Sequence, residues 1–255
     1  MAARQTYLLI DLLSVFVPFV ASFHQKSRFY RKWPALFCAI SATVLGYGLW
    51  DLWFTHLGVW GFNKSYTVGL NIGNLPVEEV LFFICIPYAC VFTFHHFSTL
   101  FQTEKFTPGL AILNYFFIGV CFVIAAIYHD RYYTVATFTL LAILLLLANF
   151  TKPVWMFRFY VVYALLLIPF TIVNGLLTGT LLAAPVVWYN SAEIIGFRLL
   201  TIPIEDIFYG MGLIMVNVSI YERVLHKLYQ NAPSTCSTDH LPITINQNSS
   251  KNQPG

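Results

Sequence analysis

The sequence predicts an all-α integral membrane protein of about seven transmembrane helices, arranged as two parallel three-helix repeats joined by a linker helix. This prediction depends on the composition, the long apolar segments and a duplicated motif. Of the 255 residues, 58% are hydrophobic and only 10% are charged, whereas a soluble domain carries about 25% charged residues. So few charges could not keep a soluble surface hydrated, which excludes the soluble globular classes. The net charge of +3 is small and dispersed, so no nucleic-acid partner is expected.

Seven segments approach the length of about 20 mainly apolar residues that a spanning helix requires. They cover roughly residues 5–23, 34–54, 75–95, 110–128, 133–150, 158–176 and 201–221. The first segment is not typical of a cleavable signal, because Asp11 interrupts it and most of its basic neighbours follow it. Residues 230–255 are rich in Asn, Gln, Ser and Pro, which is typical of a disordered tail.

The loop charges predict how the helices are oriented in the membrane. Ten lysines and arginines lie on the side of loops 24–33, 96–109, 151–158 and the C-terminus, and four lie on the other side. We therefore expect a multi-pass protein of the cell membrane with the N-terminus outside and the C-terminus in the cytoplasm.

A motif of proline, any residue, glutamate and a second acid occurs at 76–79 and again at 203–206. In both halves an asparagine, Asn63 or Asn190, precedes the first glutamate by 15 residues. Helices 1–3 therefore match helices 5–7, and the connecting helix 4 gives both halves the same orientation. Both motifs should meet at the outer end of the bundle. The predicted divisions are a first repeat (1–96), a linker with helix 4 (97–130), a second repeat (131–222) and a disordered polar tail (223–255).

The paired acids of the motif indicate a proton-donating site. A proline and acids in a first turn also cap a helix, but this motif recurs in both halves beside long apolar runs, where a charge is expensive. An apolar pocket disfavours the charged form of a carboxyl group, which can then hold a proton and act as a general acid. Successive helical residues point about 100° apart, so one acid of each pair can face a cavity. We rank Glu78 and Glu205 above Glu79 and Asp206, because the first acid is glutamate in both halves.

Other side chains near the motifs could complete such a site. Aromatic faces stabilise cations, so the aromatic residues just beyond the acids could line the cavity, although they could also simply fill the bundle. Asp51 lies near the outer end of helix 2 and could reach the same cavity, while Asn174 holds the corresponding place in the second half. Arg198 could orient a carboxylate or could be a solvated loop residue. The aromatic candidates are Phe82, Phe83, Phe208 and Tyr209.

The doubled motif, in the contexts Leu-Pro-Val-Glu-Glu-Val-Leu-Phe-Phe (75–83) and Ile-Pro-Ile-Glu-Asp-Ile-Phe-Tyr-Gly (202–210), resembles the small integral-membrane lycopene cyclases. In that family two homologous halves occur as separate subunits or as one fused chain, and this chain resembles the fused form over about residues 5–222. The resemblance implies a lycopene β-cyclase of a bacterial or archaeal membrane, in which acids protonate the ψ-end of lycopene. It also implies that the catalytic residues are Glu78, Glu79, Glu205 and Asp206.

The resemblance also implies partners and cofactors. The expected partners are lycopene, the lipid bilayer and other enzymes of carotenoid biosynthesis. No dinucleotide fingerprint or Walker loop occurs in the sequence, so neither a flavin nor a nicotinamide is expected, and no metal site is expected either. The two halves differ at one matching position, which is Asp51 in the first half and Asn174 in the second. They are therefore not chemically equivalent.

Two other functions remain open at this point. A carotenoid 1,2-hydratase would share the protonation step but would add water, so the mass of the product separates it from a cyclase. A small proton-coupled transporter could use paired acids as a relay.

Overall fold

The computed structural model describes residues 3–25, 27–98 and 105–230, which form seven α-helices. The helices are α1 (Thr6–Ala21), α2 (Trp33–His56), α3 (Val77–Phe97), α4 (Pro108–Ile127), α5 (Tyr132–Thr151), α6 (Met156–Leu177) and α7 (Ile204–Gln230). Helices α2 to α7 are long and apolar enough to cross a membrane, whereas α1 is apolar but has only 16 residues. The predicted all-α, multi-pass architecture is confirmed.

The last helix is longer than the sequence predicted. Helix α7 continues to Gln230, past both the predicted end of the span at 221 and the predicted start of the tail at 223. Beyond residue 221 the helix still contacts the bundle, because Arg158 donates to Glu222 over 2.7 Å and Val224 and Leu225 pack against the hydrophobic core. The remainder of the predicted tail lies outside the described residues.

The two motif prolines end short hairpins instead of lying inside the following helix. Strand β2 (Asn71–Ile72) pairs with β3 (Leu75–Pro76), and β5 (Arg198–Leu199) pairs with β6 (Ile202–Pro203), both antiparallel. Pro76 has an extended backbone, with φ −65° and ψ 148°, and α3 begins at the next residue. The predicted helix starts at 75 and 201 were therefore two and three residues early. A proline needs no ladder hydrogen bond, so it suits the edge of a two-stranded ribbon.

A third ribbon joins the two repeats. Strands β1 (Trp60–Phe62) and β4 (Val187–Tyr189) are antiparallel, and their central pair is Gly61 with Trp188. The flanking hydrogen bonds are also reciprocal, because the Asn63 N–H donates to the carbonyl of Val186 and the Asn190 N–H donates to that of Val59, each over 2.8 Å. The ladder is therefore centred on a pseudo-twofold axis that exchanges the two repeats.

The helix packing follows the same symmetry with one difference. Within each repeat the first helix packs on the third, as α1 on α3 and α5 on α7, and α4 packs outside on α5. Between the repeats, α2 packs closely against α7, whereas the equivalent pair, α6 and α3, meets at fewer points. The second contact is therefore looser, and a cavity opens beside it.

Candidate active site

A cavity of about 350 Å³ runs between α1, α3, α6 and α7. On α3 it is lined by one helical face, Ile86, Ala89, Cys90 and Thr93, spaced i, i+3, i+4 and i+7. From Glu79 to Thr93 the lining of α3 spans about 21 Å at 1.5 Å per residue. The facing wall belongs to α6, with Tyr163, Leu166, Pro169, Phe170 and Val173. The cavity is thus a long, mainly apolar slot parallel to the helix axes.

Three carboxyl groups lie at the motif end of this cavity. Asp51, Glu79 and Asp206 all line it, and all three are buried. Among the described residues that line the cavity there is no lysine or arginine, so the acids are not neutralised by a salt bridge there. Such groups are stable in an apolar site only when hydrogen bonds or protons compensate for lost hydration.

In the first half-site (Tyr7, Asp51, Trp60 and Glu79), two carboxyl groups face each other. Asp51 and Glu79 both line the cavity and interact with each other, and Oδ2 of Asp51 accepts no hydrogen bond from a donor among the described residues. The Tyr7 hydroxyl donates to Oε2 of Glu79, and the Trp60 indole N–H donates to Oδ1 of Asp51. Ionised carboxylates only accept hydrogen bonds, so a bond between these two groups requires a proton on one of them.

In the second half-site (Tyr133, Asn174, Tyr189 and Asp206), one carboxyl group accepts three hydrogen bonds. Oδ1 of Asp206 accepts from the Tyr133 hydroxyl at 2.6 Å, and Oδ2 accepts from the Asn174 amide at 2.8 Å and the Tyr189 hydroxyl at 2.9 Å. Burial, and then the adjacent Asp206 carboxylate, raise the pKa of Tyr189 well above its usual value of 10.0. Tyr189 therefore remains a neutral donor to Asp206 through the physiological range.

The first acids of the motifs, Glu78 and Glu205, do not line the cavity. Oε1 of Glu78 accepts the backbone N–H of Val68 at 2.6 Å, and Oε1 of Glu205 accepts the equivalent N–H of Ile195 at 2.5 Å. Glu205 also accepts from the Thr134 hydroxyl at 2.7 Å. Each first acid thus holds the loop before its helix, whereas the second acids, Glu79 and Asp206, line the cavity. The ranking of the first acids above the second as proton donors stays a prediction.

Of the four predicted aromatic residues, two line the cavity and two do not. Phe82 and Tyr209, which hold equivalent positions in the two motifs, line the cavity. Phe83 is buried behind it against Tyr47 and Leu213, and Phe208 packs on Phe138 with ring centroids 4.8 Å apart. Only one aromatic residue of each predicted pair therefore faces the space where a substrate would bind.

Of the other predicted residues, Asn174 belongs to the site and Arg198 lies outside it. The Arg198 guanidinium donates to the carbonyl of Thr201 at 2.7 Å and lies 5.9 Å from the ring centre of Tyr189, in a separate pocket. It contacts no carboxyl group of the cavity in any described contact. Asp11 is fully buried near Glu78, and neither of its oxygens has a hydrogen-bond partner among the described residues.

Sequence reasoning missed four donors of the site: Tyr7, Trp60, Tyr133 and Tyr189. Two signals could have identified them. Trp60 and Tyr189 lie three residues and one residue before Asn63 and Asn190, whose spacing from the motif marks the repeat. Tyr7 and Tyr133 are each the second residue of the first helix of a repeat. Among the described residues, no group of three His, Cys, Asp or Glu side chains could hold a metal ion.

The comparisons agree with this two-part construction. A family model described as lycopene cyclase matches residues 4–97 and 130–224, which contain α1–α3 and most of α5–α7. No curated protein and no solved structure matches the chain. The family match covers more than half of the chain and includes both carboxyl half-sites, so the chain belongs to the lycopene cyclase family.

Proposed function

We propose that the chain is a lycopene β-cyclase in which the carboxyl groups of the cavity carry out the proton transfers. Its family establishes an enzyme of carotenoid biosynthesis that cyclises lycopene, and its apolar helices indicate a multi-pass membrane protein. The type of ring and the residues that catalyse its formation are the proposal.

The main support is the position of Asp51, Glu79 and Asp206 at the motif end of an aromatic, mainly apolar cavity. Cyclisation of an alkene needs a strong acid to protonate it and a dry environment in which the resulting cation survives. Carboxyl groups buried without basic partners can supply the proton. The faces of Trp60, Phe82 and Tyr209 can stabilise the cation.

The shape of the cavity suits a long apolar chain. Its slot along α3 and α6 extends about 21 Å from the acids, a large part of the roughly 30 Å hydrocarbon core of a bilayer. A polyene lying in it places one ψ-end against the carboxyl groups and the rest of its length between the helices. The looser contact between α3 and α6 would let such a chain enter from the lipid.

The reaction itself is an isomerisation. A proton adds to the terminal C1=C2 double bond, and the C5=C6 double bond attacks the cation at C1 to close a six-membered ring. Loss of the proton at C6 then forms a ring double bond conjugated with the polyene, which is the β-end group. The β ring is also what the doubled motif implies through its resemblance to the small membrane cyclases.

The proposal is tested by the pigments of a lycopene-accumulating host that expresses the chain. We expect a product of unchanged mass whose absorption and NMR spectra show β rings, and we expect lycopene alone from a matched Glu79→Gln/Asp206→Asn double variant. An ε ring would overturn the β assignment. A product heavier by one water would indicate a hydratase, and cyclisation by the double variant would remove these carboxyl groups from the mechanism.

A further inference from the structure

We propose that the two half-sites carry out opposite proton transfers: the Glu79–Asp51 pair donates the proton that starts cyclisation, and Asp206 accepts the proton that ends it. This inference depends on the proposed cyclase function and assigns roles within it. The pseudo-twofold symmetry of the fold makes the two half-sites directly comparable, and their hydrogen bonds differ.

The first half-site is built to hold and release a proton. Asp51 and Glu79 interact with each other in the wall of one cavity. No lysine or arginine is among the described lining residues, and charge is expensive in such surroundings. With both groups protonated the pair is neutral. When one proton leaves, the two groups share the other, and this charge-assisted hydrogen bond stabilises the single negative charge that remains. A carboxyl group without a partner would not gain that stabilisation.

The second half-site is built to hold a carboxylate. Asp206 accepts hydrogen bonds from Tyr133, Asn174 and Tyr189 over 2.6–2.9 Å. The amide nitrogen of Asn174 can only donate, and three donors on two oxygens favour the ionised form of a carboxyl group. Asp206 can therefore stabilise the carbocation by its charge and then accept the ring proton.

One pair of equivalent positions accounts for the difference. Asp51 on α2 contacts the second acid of the first motif, and Asn174 on α6 contacts the second acid of the second motif. Both motif acids also accept a tyrosine hydroxyl from the first helix of their own repeat, Tyr7 or Tyr133. An aspartate at this position permits a shared proton, whereas Asn174 presents its NH₂ group, a donor that supports a carboxylate.

The proposed steps balance in atoms and charge. The O–H bond of the Glu79–Asp51 pair breaks as a C–H bond forms at C2 of the ψ-end. The C5=C6 electrons form the C1–C6 bond, and the positive charge moves to C5. The C6–H bond then breaks, its electrons form the ring double bond, and the proton passes to Asp206. Its return to the pair between turnovers closes the cycle, which consumes no net proton and needs no oxidant or reductant.

Deuterium exchange separates the two roles. Purified protein in lipid vesicles is incubated with lycopene in deuterium oxide, and the deuterium in product and in recovered lycopene is measured by mass spectrometry. The wild type should place one deuterium at C2 of each new ring. Glu79→Gln should leave recovered lycopene unlabelled, because no cation forms. Asp206→Asn should still form the cation. A cation that then loses a proton from C2 returns to lycopene that carries deuterium. A cyclised cation that loses a proton from a carbon other than C6 forms its ring double bond at another position.

Two further measurements keep the test decisive. Lycopene retained on the purified variants shows that each variant still binds substrate. Asn174→Asp should slow the release of the ring proton, because it gives Asp206 a second carboxyl group with which to share a proton. Label in lycopene recovered from Glu79→Gln, or unlabelled lycopene and no product from substrate-bound Asp206→Asn, would overturn the assignment. Failure of the wild type to cyclise lycopene would instead refute the proposed function.

Discussion

Replacing each motif acid by its amide separates the acids that line the cavity from those that hold the loops. Glu79 lines the cavity and Glu78 does not, although they are adjacent in sequence and both are buried. Glutamine keeps the size of either side chain but cannot donate a carboxyl proton. We expect Glu79→Gln to lower turnover by about 10²- to 10⁴-fold, which is the usual contribution of general acid catalysis.

The matched variant Glu78→Gln should affect stability instead. The hydrogen bond from the Val68 N–H to Oε1 of Glu78 measures 2.6 Å. A bond to a charged group contributes about 1.5–3 kcal/mol and a neutral one about 0.5–1.5 kcal/mol, so glutamine should cost at most about 2.5 kcal/mol of the free energy of unfolding. At about 2–4 °C per kcal/mol for a chain of this size, the melting temperature should fall by at most about 10 °C.

Both quantities can be measured on the same samples. Turnover of lycopene per inserted protein is compared with the melting temperature in detergent for the wild type and the two variants. The same contrast should appear between Asp206→Asn and Glu205→Gln in the second repeat. If Glu78→Gln loses as much turnover as Glu79→Gln while its melting temperature is unchanged, the first acids are the donors and the geometric argument is wrong.

Three further predictions concern the cavity, the hairpin turns and Tyr189. Ala89→Phe, on the α3 wall of the cavity, should block lycopene binding and turnover, whereas Ala126→Phe on the exposed face of α4 should not; equal retention of bound lycopene by the two variants would contradict the proposed binding mode. Leu200, 67% exposed, has a left-handed φ of 58°, which costs a non-glycine residue about 1–2 kcal/mol, so Leu200→Gly should raise the melting temperature. Gly73→Ala, at the equivalent turn with φ +66°, should lower the melting temperature, since the new Cβ would also lie 3.0 Å from Leu52. A lower melting temperature for Leu200→Gly together with a higher one for Gly73→Ala would refute the proposed strain at these turns. Because the pKa of Tyr189 is raised by burial and by Asp206, its phenol should stay protonated as the pH rises through 10. The ultraviolet difference spectrum between the wild type and Tyr189→Phe should therefore show no tyrosinate at that pH. A tyrosinate signal that titrates near 10 would contradict the contact between Tyr189 and Asp206.

The sequence by itself determined the class of protein, the helices and the duplication. These are local properties: a span is recognised by about 20 apolar residues in a row, and the repeat by motifs at a constant spacing. The same reasoning placed both motifs at one end of the bundle, and it found Asp51 and Asn174 as positions where the halves differ. It could not place the ends of α3 and α7 closely, because the hairpins before them and the Arg158–Glu222 ion pair depend on contacts distant in sequence.

The tertiary structure decided which acids face the cavity and what surrounds them. Neighbouring helical residues point about 100° apart, so the rotation of α3 and α7 about their axes determines whether the first or the second acid of a motif is directed inward. That rotation is set by the hairpins and by the packing of α2, α6 and the β1–β4 ribbon, none of which can be read from the motif. The donors Tyr7, Trp60, Tyr133 and Tyr189 reach the acids from four other elements. The distinction between a shared-proton pair and a fully hydrogen-bonded carboxylate therefore exists only in the folded bundle, where residues far apart in the chain come into contact.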